Sequence, residues 1–169
     1  CHRDLHRVDR RQRQMCIRDR HHGIQFRVVA AVDSSGAVIS SDGLDLRELL
    51  QLKELHQGVA ALQRYGRPGL SALEALPQSG ADLLVELSPT SLKHGEPGLS
   101  VIAWALENGL DVVTANKGPL VLAYPRLTGL AASHGRQLLF SGAVAGGLPT
   151  VNIGRRDLIA AHIQRVEGI

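Results

Sequence analysis

The sequence predicts an α/β fold built on an open parallel sheet, and three observations carry that prediction. Short apolar runs rich in Val, Leu and Ile alternate with longer stretches whose apolar residues recur at helical spacing. Those stretches are long enough to serve as crossovers, which bring successive strands together in parallel with helices covering both faces of the sheet. Hydrophobic residues make up 44% and aromatic residues only 3% of the 169, so the core must be assembled from Leu, Val, Ile and Ala. This length suits one domain with a sizeable core, and no apolar run approaches the roughly 18 residues of a membrane-crossing helix, so a soluble protein is expected.

The first strand is expected over residues 25–33, an apolar run closed by Asp33, with Ser34-Ser35-Gly36 as a turn. Residues 44–58 place Leu46, Leu49, Leu50 and Leu52 at amphipathic spacing, and Gly58 acts as the stop. A shorter helix over 71–76 ends at Pro77, and a strand over 81–87 delivers Ser88-Pro89-Thr90 to its carboxyl end. The helix over 97–108 carries Leu99, Ile102, Ala103 and Leu106 on one stripe, with Pro97 near its first turn and Gly109 as its cap. It leads into the apolar run 110–113, which has the character of a strand buried in a parallel sheet. Residues 124–134 repeat the helical pattern with Leu127, Leu130 and Ala131, and Gly135 closes that helix before a strand over 137–140. The glycine-rich segment 141–147 follows, then a short helix after Pro149 and a strand over 162–167.

A complete dinucleotide-binding domain of Rossmann type opens with a strand and a Gly-x-Gly-x-x-Gly turn, whose backbone N–H groups hold a pyrophosphate. Before residue 25 the sequence offers only His22-Gly23-Ile24, one glycine where three are needed. The expected fold is therefore a Rossmann-type sheet lacking its first strand and glycine-rich turn. Asp33 is then the acid that ends the second strand, where such folds hydrogen-bond an adenosine ribose. A carboxylate there favours NAD over NADP because it repels a 2′-phosphate.

The net charge of +3 does not belong to the domain. Residues 1–22 hold seven Arg and three Asp, a net +4, which leaves the remainder at −1. The same segment contains both cysteines, Cys1 and Cys16, and the only methionine, Met15, so cysteine usage says nothing about redox compartment. It lacks the apolar stretch of a secretory signal. An Arg-rich arm can bind phosphates, yet Gln14-Met15-Cys16-Ile17-Arg18-Asp19-Arg20 looks like the translation of a sequencing-library adapter. Residues 1–21 are accordingly expected to be an artefactual or disordered basic tail, and no nucleic-acid or membrane partner is expected.

Lys117 is the leading site residue. Ligands bind outside the carboxyl ends of strands in open α/β sheets, and Lys117 follows such a strand end directly. An ammonium there can stabilise negative charge developing on a carbonyl oxygen, although a solvated loop lysine is the bland alternative. Thr114 and Asn116 can orient it or cap the next turn. Ser88 and Thr90 sit at the neighbouring strand end, where short hydroxyl side chains suit a carboxamide but are also routine helix caps. His56, His94, His134 and His162 have no metal-ligand spacing and are expected at the surface.

Val113-Thr114-Ala115-Asn116-Lys117-Gly118-Pro119, followed by Ala145-Gly146-Gly147-Leu148-Pro149, closely resembles the nucleotide-binding half of homoserine dehydrogenase. The resemblance runs from about residue 22 to residue 169. It implies a partial NAD(P)-binding domain over 22–169 that runs into the start of a substrate domain. The implied reaction is the NAD(P)-dependent interconversion of L-homoserine and L-aspartate 4-semialdehyde, in cytoplasmic threonine, methionine and isoleucine biosynthesis. Lys117 then contacts cofactor and active site, and Asp33, Ser88, Thr90 and Asn116 join it around NADP or NAD. Residues 141–149 resemble a family loop whose backbone carbonyls bind a monovalent cation such as sodium, with Val144, Gly146 and Leu148 at the matching positions. Ser141 stands where that family usually has Glu. The resemblance also implies a homo-oligomeric parent enzyme, with substrate residues and a proton-transfer lysine beyond Ile169, so the 169 residues alone are expected to be inactive. Another amino-acid-pathway dehydrogenase and a non-catalytic nucleotide-binding module are the alternatives.

Overall fold

The structure, a computed structural model, describes residues 26–143 and Arg165. Two three-stranded sheets share no strand. In the first, β1 (Ala30–Asp33) turns through Ser34 and Ser35 into β2 (Gly36–Ile39), which pairs in turn with β3 (Gly66–Pro68), all antiparallel. In the second, β4 (Leu83–Glu86), β5 (Asp111–Thr114) and β6 (Leu138–Leu139) are parallel and adjacent in that order.

The parallel half agrees with the fold class expected. The strand expected over 25–33 does not join it: β1 is shorter and belongs to the antiparallel sheet. The physical reason is the two-residue turn at its end, since a parallel partner needs a crossover of a dozen residues whereas a hairpin needs two. Gly36 makes this possible. Its φ of 135° is closed to most L side chains, and an added Cβ would lie 2.3 Å from the Arg67 carbonyl oxygen on β3.

Helix α1 (Leu46–Glu54) starts at Asp45, whose carboxylate accepts from Arg47 N–H at 2.8 Å, and it ends four residues short of Gly58. Its Leu49 packs with Val38 and Val59 as the small core of the antiparallel half. Helix α2 (Ala72–Ser79) opens with a reciprocal Ser71–Glu74 capping box and closes at Gly80 in the left-handed region. It runs past Pro77, the expected stop, for two further residues.

Helix α3 (Gly98–Glu107) and helix α4 (Lys117–Ser133) link the parallel strands. Ile102, Ala105 and Leu106 of α3, Leu127 and Ala131 of α4, and Leu110 and Val112 of the β5 segment form the larger core. The expected helix over 124–134 is the second part of α4, which is interrupted at Ala123 (φ −143°, ψ 24°) just before Pro125. Asn116 starts the earlier part by accepting from Gly118 N–H at 3.0 Å.

Strand register shows which face these helices cover. Leu84, Val112 and Leu138 form one cross-strand row packed into the core. The adjacent row is Val85, Val113 and Leu139, of which Val85 and Leu139 are each 55% exposed. Among the described residues, then, helices cover one face rather than the expected two, because successive right-handed crossovers running in one direction stay on the same side. The short helix after Pro149 and the strand over 162–167 lie outside the described residues. Among the described residues no helix is long and apolar enough to cross a membrane.

Candidate functional site

Parallel pairing brings the carboxyl ends of β4, β5 and β6 to one edge, and register sets what meets there. Glu86 and Thr114 are paired residues on β4 and β5, so their side chains project to the same face. Thr114 Oγ1 donates to Glu86 Oε2 at 2.9 Å, and Ser88 N–H donates to Glu86 Oε1 at 2.8 Å. Asn116 N–H donates to Thr114 Oγ1 at 3.0 Å, and Asn116 Nδ2 donates to Ser88 Oγ at 3.2 Å. Glu86, Thr114 and Asn116 are all at least 96% buried, and no buried side-chain polar atom among the described residues lacks a partner.

Of the residues expected at the site, Ser88 and Asn116 are thus in direct contact. Lys117 is the first residue of α4, exposed, and in no salt bridge with a described residue. Thr90 is exposed on the loop that follows Glu86. Gly118 lets that loop approach α4, for an added Cβ would lie 2.4 Å from the Ser91 carbonyl oxygen. The short helical turn Ser141–Ala143 lies against the same edge, with an added Gly142 Cβ 3.5 Å from Ala115 Cβ. Val144, Gly146 and Leu148 lie outside the described residues.

Asp33 is not brought into this cluster. It closes the first hairpin, where Oδ1 accepts from Ser35 N–H at 2.9 Å and Ser35 Oγ at 2.5 Å, and Oδ2 accepts from Val59 N–H at 3.0 Å. Oδ2 also pairs with the Lys53 ammonium. Partial burial pushes this carboxyl upward, but the bonds from Lys53, Ser35 and Val59 outweigh it and hold Asp33 well below the usual carboxylate range. Four donors occupy the lone-pair directions of a carboxylate, so a ribose hydroxyl at Asp33 requires one of them, most simply the half-exposed Lys53, to move away.

Sequence reasoning missed Glu86 and Lys53. The signal for Glu86 was present: it is the only charged residue of Leu83-Leu84-Val85-Glu86, at the end of a strand and two residues before a hydroxyl side chain. Lys53 lies twenty residues from Asp33, and nothing local marks the pair. Among the described residues there is no group of three or more His, Cys, Asp or Glu able to hold a metal ion, and His56, His94 and His134 are exposed.

Parallel strands joined by helices on one side, with a polar strand-end cluster beside a lysine, define an α/β domain of dinucleotide-binding architecture. Residues 17–88 match the family model described as Glutamate/Leucine/Phenylalanine/Valine dehydrogenase, a match that stops before Lys117. A homoserine dehydrogenase of Methanocaldococcus jannaschii is 37% identical over 145 residues, 86% of this chain and 43% of that protein. An NAD(+)-dependent homoserine dehydrogenase of Pseudomonas canavaninivorans is 33% identical over 153 residues, 87% of this chain and 42% of that protein. The crystal structure of homoserine dehydrogenase from Thermoplasma acidophilum superposes with a TM-score of 0.69 at 26% identity, over 88% of this chain and 44% of that one. A hyperthermophilic archaeal homoserine dehydrogenase in complex with NADPH shares the fold, with a TM-score of 0.70 at 23% identity, over 83% of this chain and 42% of that one. Over most of its length the chain is a homologue of the homoserine dehydrogenases, and it spans under half the length of those relatives.

Proposed function

We propose that this chain is the nucleotide-binding part of an NAD(P)-dependent homoserine dehydrogenase, which interconverts L-homoserine and L-aspartate 4-semialdehyde on the route to threonine, methionine and isoleucine. The observation that carries the reading is the Asn116–Ser88 hydrogen bond of 3.2 Å, which joins two strand-end loops beside an exposed lysine. In this role Ser88, Thr90 and Asn116 line the nicotinamide side of the cofactor, and Lys117 presents its ammonium to the carbonyl oxygen on which charge develops. The cofactor supplies the hydride; the protein supplies orientation and electrostatics. Asp33 serves the adenosine ribose once Lys53 is displaced, and the cofactor is NAD or NADP. A monovalent cation such as sodium on the carbonyls of Val144, Gly146 and Leu148 belongs to the same proposal and rests on the sequence of that loop. So do a homo-oligomeric assembly of the parent enzyme, a cytoplasmic location, and a basic segment over 1–21 outside the domain.

The match of residues 17–88 to another amino-acid dehydrogenase family favours a second reading, a dehydrogenase acting on a different amino acid. One experiment tests the first reading. Residues 26–169 replace the equivalent part of the Methanocaldococcus relative, and the chimera is assayed with NAD and NADP on homoserine. Oxidation of homoserine with Lys117→Ala reduced at least about a hundredfold in kcat/KM is the expected result, comparable to removing one preorganised donor. Unchanged kinetics in Lys117→Ala would remove the lysine from the reaction.

A further inference from the structure

We infer that Glu86 is the positioning residue of this strand-end site, the group that fixes the Ser88 and Lys117 loops relative to each other; the inference rests on the dinucleotide reading above. Glu86 is 4% exposed, and among the described residues no cation pairs with it. A buried carboxylate is costly, and a leucine would fill the same volume without that desolvation. What a leucine lacks is two acceptors.

Those acceptors close a ring of four residues. Oε1 takes the Ser88 N–H and Oε2 the Thr114 hydroxyl proton. The threonine is the donor there because the carboxylate only accepts, and its Oγ1 lone pair accepts in turn from Asn116 N–H. The Asn116 amide is oriented in its turn: Oδ1 faces the Gly118 N–H, which leaves Nδ2 to donate to Ser88 Oγ. Glu86, the one member that only accepts, thus fixes the Ser88 backbone and the Thr114 hydroxyl, and Gly118 N–H fixes the Asn116 amide. Two consequences reach the site. The start of α4, and Lys117 with it, is held to the end of β4, and the Ser88 oxygen is used as an acceptor, so its own proton is left for a ligand. Helix α3 seals the ring, with an added Gly98 Cβ lying 3.2 Å from Glu86 Cδ and 2.8 Å from Asn116 Nδ2.

Glu86→Gln supplies one acceptor where two donors converge, and Thr114→Val keeps the shape of the threonine while removing both of its bonds. Ile102→Val, fully buried in α3 and outside the ring, is the control for plain loss of stability. In the chimera described above, amide hydrogen exchange at Ser88, Asn116 and Gly118 and affinity for NADH and NADPH are followed by NMR. Both ring variants are expected to exchange at least about tenfold faster at those amides and to bind the dinucleotides at least about tenfold more weakly, the effect of one buried hydrogen bond. Ile102→Val is expected to keep wild-type affinity. Wild-type affinity in a folded Glu86→Gln overturns the proposal, as does an equal loss of affinity in Ile102→Val. If Glu86→Gln does not fold, Thr114→Val decides by the same criteria. Failure of the wild-type chimera to bind either dinucleotide sinks the function proposed above together with this one, whereas a wild-type chimera that binds beside an unaffected Glu86→Gln sinks this one alone.

Discussion

Two glycines of α4 provide a test in which the same substitution should act with opposite signs. Gly129 has no atom within 4 Å of an added Cβ and no positive φ, so Gly129→Ala only relieves the entropic cost of glycine in a helix and stabilises by up to about 1 kcal/mol. Gly118 lies in the first turn of the same helix, and its added Cβ would stand 2.4 Å from the Ser91 carbonyl oxygen and 3.2 Å from the Ser91 carbonyl carbon. Both atoms are backbone, so no rotamer change relieves the overlap. The Ser91 carbonyl is also held, since it accepts from Gly95 N–H at 3.0 Å. Forcing the loop outward costs about 1–3 kcal/mol of overpacking strain. Movement of Gly118 instead weakens the Asn116 cap, worth about 1 kcal/mol. Gly118→Ala is therefore expected to destabilise by about 1–3 kcal/mol by either response. Urea midpoints of the two variants and the wild type, at constant m-value, measure the difference. Equal stabilisation by both alanines would show that the loop after Ser88 is not in contact with α4, and the site geometry would fall with it.

Acidification should reveal the Asp33 network. Its folded carboxyl titrates below the ordinary value of about 3.9, so its stabilisation is complete above that value and is lost as pH falls below it; between pH 6 and pH 3 the wild type should lose more stability than Asp33→Asn in urea titrations, and equal losses would refute the assignment. Ser71→Ala removes half of the α2 capping box, with an expected cost of about 1 kcal/mol. The Glu74 carboxyl, now held below its usual range by Ser71, should titrate upward in the same variant by NMR. In the homoserine dehydrogenase chimera, Lys117→Arg keeps a positive charge but not its position, and kcat should fall with little change in KM for the dinucleotide.

The parallel half was legible because periodicity and strand-end chemistry act locally. Leu99, Ile102, Ala103 and Leu106 sit one helical turn apart, and the helix they announce runs over Gly98–Glu107. Ser88 and Asn116 were placed at one edge by topology alone, and they meet there. The antiparallel half was not legible. Gly36–Ile39 and Gly66–Pro68 are four and three residues long, too short for a period, and their pairing depends on a contact between Gly36 and Arg67 some thirty residues apart in sequence. The direction of Asp33 was hidden for the same reason: its partners Lys53 and Val59 become neighbours only after the hairpin and α1 have packed. The early start of α4 was masked by Pro119 and Pro125, which read as helix boundaries, although a proline in the first turn gives up no backbone bond.

The two sheets have separate cores, and this division has a thermodynamic corollary. Val38, Leu49 and Val59 hold one; Ile102, Leu106, Val112 and Leu127 hold the other, with no strand passing between them. Units with separate cores can open independently even though α2 packs on both, so hydrogen exchange should resolve two levels of protection. Asp33 belongs to the first unit and Lys117 to the second. A dinucleotide that reaches both would therefore act as a strut whose binding energy adds to the coupling between the two, and saturating concentrations should merge the two opening transitions into one.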